Sequence, residues 1–163
     1  MSEAERDFPS DWVPRLAHVI AAAVDEFAQT LHATPVVLLA VDCHPWHGLL
    51  EMSLLTAAEA EADKLLCDAG EMAAWRFFHF TVGLKSWQPA ASLGREMQTR
   101  YDNATDREVI AEAFLRAAAR AAASPEVGRA IEKLKRAEGF RISVMHPDHR
   151  IEYLHSSGEA GSN

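Results

Sequence analysis

Residues 36–42 read VVLLAVD, six apolar side chains in a row, three of them valine. A strand with one wet face alternates polar and apolar residues. A run without alternation hides both faces, so it reads as an inner strand with cover above and below. LLEMSLL at 49–55 is near enough to pair back with it, which makes DCHPWHG at 42–48 a hairpin loop.

The cover is supplied by helical patterns. Trp12, Leu16, Val19, Ile20, Ala23, Val24, Phe27 and Leu31 recur at three- and four-residue spacing, one face of an amphipathic helix. Asp11 is its expected cap, Pro14 falls at the third helical position, where a missing N–H has no intrahelical acceptor, and Thr34-Pro35 stops it. TAAE at 56–59 matches a capping box and predicts a helix to about Leu66, ended by Asp68-Ala69-Gly70. The aromatic run WRFFHFTVG at 75–83, closed by glycine, predicts another strand. A helix follows Pro89 through Tyr101. A second box, TDRE at 105–108, introduces what the pattern makes the longest helix, with Ile110, Ala113, Phe114, Ala117 and Ala121 inward. Ser124-Pro125 starts a last helix that buries Val127, Ile131 and Leu134 and ends at Gly139. FRISVMHPDHRIEYLH then reads as a second hairpin, or a strand with a bulged partner. The expectation is a single α+β domain over 11–155, a mixed or antiparallel sheet packed against several helices, between disordered tails at 1–10 and 156–163.

One motif occurs twice: HPWH at 44–47 and HPDH at 146–149. As chemistry, His44, His47, His146 and His149 would supply four nitrogens to one Zn²⁺ or Ni²⁺ if the loops meet, with Asp42 or Asp148 orienting a ligand. As structure, proline, histidine and aspartate are ordinary turn residues, and each motif sits where an apolar strand must reverse. The turn is the preferred reading, with no cofactor expected. Cys43 beside His44 is not a thiol–base pair, because adjacent strand residues point to opposite faces. Cys43 and Cys67 form no CxxC pattern, which suggests a reducing, cytoplasmic setting. No G-x-S-x-G, phosphate loop, H-E-x-x-H or Rossmann glycine set occurs, so the common catalytic templates are missing.

The formal charge of −8 opposes sequence-independent nucleic-acid binding, which needs a basic surface. No apolar run approaches a membrane span, and the acidic opening MSEAERDFPSDW does not resemble a secretory leader. An acidic face attracts a basic protein partner instead. Trp46, at the tip of the expected loop, is the candidate anchor for a partner or a second copy of the chain.

An opening amphipathic helix, an apolar hairpin running into LLTAAEAEAD, a tryptophan segment at WRFFHF and helices ending in EGFRISVMHPD resemble bacterial domain-of-unknown-function family 4303, over roughly Trp12 to Leu154. The resemblance implies no catalytic residues. It implies a small interaction protein of the toxin-immunity type. The function expected is therefore non-catalytic binding of another protein, a toxin in its most concrete form. The alternative is a metal-binding protein, of hydrolase type, using the two histidine loops.

Overall fold

The computed structural model describes residues 8–149 and 151–157. In chain order its main elements are α1 (Trp12–Leu31), β1 (Val36–His44), β2 (Leu49–Thr56), α2 (Ala57–Ala62), α3 (Ala90–Asn103), α4 (Arg107–Ala122), α5 (Pro125–Ile131), β3 (Arg136–Met145) and β4 (Glu152–Ser157). The sheet order is β2-β1-β3-β4. β1 pairs antiparallel with β2 and parallel with β3, and β3 pairs antiparallel with β4. This is the α+β domain with a mixed sheet that the sequence predicts.

The unbroken apolar run is explained by two cores. Leu39, Val41 and Cys43 face the larger one, shared with α1, α3, α4 and α5. Leu38 and Ala40 face a smaller one with Leu55, Ala69 and Trp75. Three tryptophans are buried, and each donates its indole N–H to a carbonyl, as a buried ring of this kind requires: Trp12 to Leu93 (3.2 Å), Trp75 to Leu66 (2.8 Å) and Trp87 to Leu50 (3.0 Å).

Several local expectations are corrected. The 75–83 segment is a chain of turns, touching the sheet through one isolated bridge between Leu54 and Phe77. It runs along the outer edge of β2, where the Leu54 N–H donates to the Phe77 carbonyl (3.1 Å). The Met52 N–H donates to Thr81 Oγ1 (3.0 Å), and the His79 N–H donates to Ser53 Oγ (2.8 Å). An edge strand is thereby covered without a new edge being created. α2 has its Thr56–Glu59 capping box but stops at Ala62, because Asp63 leaves the helical region and its carboxylate accepts the Leu65 N–H to open a 3-10 turn. The cap of α4 is Asp106 rather than Thr105, and α1, with 20 residues, is longer than α4, with 16. Asp11 makes no capping hydrogen bond and pairs with Arg15 at 3.5 Å.

Gly139 does not end a helix. α5 stops at Ile131, and Gly139, at φ +79°, lies in β3, where the pairing with β1 slips between Val36↔Arg136 and Leu38↔Arg141. One class of bulge takes a left-handed glycine, as a helix end does. The expected tails at 1–10 and 156–163 lie mostly outside the described residues. Within them, Phe8 packs on Trp12 (5.9 Å between ring centroids) and Phe114 (4.8 Å), and β4 reaches Ser157. Among the described residues no helix is long and apolar enough to cross a membrane.

The turn after β1 is seated on α3 by two glycines. A Cβ on Gly48 would lie 2.8 Å from the Gly94 carbonyl, and a Cβ on Gly94 would come closer still to the Gly48 carbonyl. Both obstacles are backbone, so no rotamer change relieves them. Gly94→Ala should therefore lower stability by a net of about 2 kcal/mol, although alanine is worth about 1 kcal/mol more than glycine in a helix. Gly128→Ala in α5, where the added methyl meets nothing within 4 Å beyond the adjoining backbone of its own helix, should raise stability instead. Urea melts of the two variants check this. A stabilised Gly94→Ala would mean that the turn is not clamped.

Candidate functional site

Parallel pairing decides where the two histidine motifs lie. Because β1 and β3 run side by side in the same direction, the turn after His44 and the turn after Met145 emerge at one end of the sheet. The first is a 3-10 turn, Pro45–His47, closed by Gly48 at φ +63°. The second turns through Pro147 and Asp148 before β4. They touch: the Trp46 and His146 rings are 5.8 Å apart, and His146 and His149 are 4.3 Å apart.

The four imidazoles do not converge. His44 donates from Nε2 to Asp42 Oδ1 at 2.7 Å, on the side of the sheet that carries Leu38 and Ala40. His47 is exposed. His146 turns Nδ1 back into its own loop, where it accepts the N–H of Asp148 (3.1 Å) and of His149 (3.3 Å). That is the work a turn aspartate or asparagine does for its own backbone. It fixes the tautomer, leaving the neutral ring's proton on Nε2. Burial, then the neighbouring His149, push His146 below the ordinary imidazole range, and Asp148 and Glu108 only partly offset them. Among the described residues no three His, Cys, Asp or Glu side chains are placed to hold one metal ion.

Asp42 orients His44, as the motif suggests, but it has a second partner that the sequence does not signal. His79, from the 75–83 turns, donates from Nε2 to Asp42 Oδ2 at 2.9 Å. Burial pushes the Asp42 carboxyl up, yet the hydrogen bonds and charges of His44 and His79 together outweigh it and hold it below the usual aspartate value. His79 sits at φ +45°, a left-handed backbone that is strained for a residue with a side chain. Its backbone bond to Ser53, its ring bond to Asp42 and its stacking on Phe78 hold it there. Glu51 faces Asp42 across the β1–β2 register and accepts a hydrogen bond from the Thr81 hydroxyl. Burial raises the Glu51 carboxyl, and Asp42 adds to the shift. Cys43 points into the opposite core with its Sγ 3.6 Å from Met97 Sδ, and burial pushes its thiol far up, so it is no nucleophile.

A cavity of about 490 Å³ opens where the two turns meet α4. Trp46, Tyr101 and Tyr153 supply aromatic walls, His146 and Ile151 add to them, and Glu108 stands at the rim on the first turn of α4. Trp46 is half-buried rather than freely exposed, with its ring against His44 (5.5 Å), Tyr101 (6.3 Å) and His146. Tyr101, Tyr153 and Glu108 come from elements remote in sequence, and no local pattern marks them. Their one shared signal is position, near the ends of α3, β4 and α4 that border the carboxyl ends of the parallel strands. Crevices form at such strand ends in open sheets with parallel strands.

Compared with protein-family models, curated proteins and solved structures, the chain finds no match in any of the three.

Proposed function

We propose that the protein acts by binding another protein, without catalysis, and that the surface around Trp46 is its contact. One observation carries the reading: the one tryptophan that is not fully buried forms a wall of an open cavity of about 490 Å³. Large rings partly held by their own chain and partly open to solvent are favoured anchors of interfaces, because little side-chain freedom remains to be lost on binding. The resemblance of the element order to family 4303 and the net charge of −8 agree with a basic partner, and neutralisation of a toxin is the most concrete form of the activity. The alternative, a metal held by the two histidine loops, has less support, because among the described residues no three His, Cys, Asp or Glu side chains are placed to hold one ion.

The test titrates the chain by calorimetry with the toxin-like product of a gene beside its own, and repeats the titration with Trp46→Ala. The variant should bind at least tenfold more weakly, the usual loss for an anchoring aromatic, while its melting midpoint falls by only a few degrees. Equal affinity of both forms would remove Trp46 from the contact. A chain that binds no such product and also sediments as a monomer would overturn the reading.

A further inference from the structure

Resting on the reading of Trp46 as a partner contact, we infer that the cavity beside it receives an arginine side chain of the bound protein. Its lining combines two features that cations select. Trp46 presents a π face, Tyr101 and Tyr153 complete the aromatic wall with Arg107 and Arg116 already over one face of each, and Glu108, Glu112 and Asp148 present carboxylates. A cation over an aromatic face is attracted by the ring quadrupole, and a nearby carboxylate strengthens the attraction where water is partly excluded. The rings show this preference within the chain itself. The Arg107 guanidinium lies 5.6 Å from the centroid of Tyr101, and that of Arg116 lies 5.7 Å from the centroid of Tyr153.

The acids are not equally available. Glu112 is bound to Arg116 at 2.6 Å. Glu108 and Asp148 have no ion-pair partner among the described residues, so they are the carboxylates an incoming guanidinium meets. The opposite reading, an anion drawn to the first turn of α4, is disfavoured because that turn already has its own acid: Asp106 accepts the Val109 N–H at 3.2 Å. His146 repels the cation less than an ordinary histidine would, since burial and then the neighbouring His149 push its pKa down. Guanidinium suits the site better than ammonium, because a flat ion stacks on one ring while its edge reaches a carboxylate.

The probe is N-acetyl-arginine amide, with N-acetyl-citrulline amide as its uncharged isostere. Both are titrated into the ¹⁵N-labelled full chain while the indole N–H resonance of Trp46, assigned by its disappearance in Trp46→Phe, is followed. The arginine derivative should shift that resonance saturably in the millimolar range and bind about tenfold more tightly than the citrulline derivative. Glu108→Gln combined with Asp148→Asn should weaken it several-fold, with an unchanged indole spectrum showing that the fold is intact. Equal binding of the two derivatives, no shift with either, or full affinity in the double variant would each overturn the inference. Those results leave a Trp46-dependent protein complex standing. Loss of that complex alone would sink the earlier reading, whatever arginine does.

Discussion

Leu39→Asp is expected to abolish the folded state at neutral pH. Leu39 is fully buried in β1, paired with Leu54 on one side and Ile142 on the other, so no rotamer carries an aspartate from that site to water. Truncating the leucine alone would cost about 3 kcal/mol through lost burial and the space left behind. A carboxyl in an apolar core has its pKa raised by about 3–5 units, which adds about 3–4 kcal/mol or more at pH 7. The sum rivals the entire stability of an ordinary domain, about 5–15 kcal/mol. Circular dichroism of the variant should show no cooperative melt, while Leu39→Val remains folded with a lowered midpoint. A Leu39→Asp protein that melts like the parent would show that β1 is not the inner strand.

That prediction needs only the sequence, and the reason it does marks what sequence makes legible. The run at 36–42 has one reading because neither a surface strand nor an amphipathic helix tolerates six apolar residues without interruption. The face of α1 and the Thr56–Glu59 box are legible in the same way, since each is completed by residues within one or two turns of each other. The errors fall where a local signal has two tertiary solutions. Gly139 asks for a left-handed backbone, and a helix end and a strand bulge both supply one. The aromatic run at 75–83 has strand composition, but it meets the edge of β2 only through the Phe77 carbonyl and the Thr81 hydroxyl, while the His79 N–H turns to Ser53 Oγ of β2, so no ladder forms. The doubled histidine motif, whose preferred reading is the turn, is no such error, but it too has more than one tertiary solution. Sequence shows two similar turns, the parallel register of β1 and β3 puts them together, and side-chain direction then separates their nitrogens. His79 could not have been named beforehand, because its pairing with Asp42 spans 37 positions and depends on a left-handed residue that lacks the usual glycine.

Asp42→Ala should cost about 3 kcal/mol, more than its modest size suggests. One carboxylate, with a side chain 12% exposed, accepts from two imidazoles that are themselves only 24% and 20% exposed. Its removal leaves two donors that water reaches poorly, and each such loss is worth about 1–3 kcal/mol. It also frees His79 from the contact that opposes its strained backbone, so the 75–83 turns should loosen from the edge of β2. Hydrogen exchange at the Met52 and His79 amides, bonded to Thr81 and Ser53, would report that loosening directly. The acid dependence has a definite sign. The Asp42 pKa is depressed in the folded chain relative to an unfolded value of about 3.9, so the unfolded state binds the proton more readily. Its contribution is therefore fully present above about pH 5 and is lost as pH falls through the folded value. The stability difference between parent and Asp42→Ala, measured by urea melts from pH 7 to pH 2.5, should be constant in the upper part of that range and shrink below about pH 4. Glu51 is raised rather than lowered and remains in both proteins, so its opposite dependence largely cancels in the difference. Asp42→Asn keeps one acceptor oxygen and should recover part of the stability at pH 7 but none of the acid dependence. A parent-minus-alanine difference that stays flat down to pH 2.5 would mean that the ionised bridge between His44 and His79 does not hold this end of the sheet together.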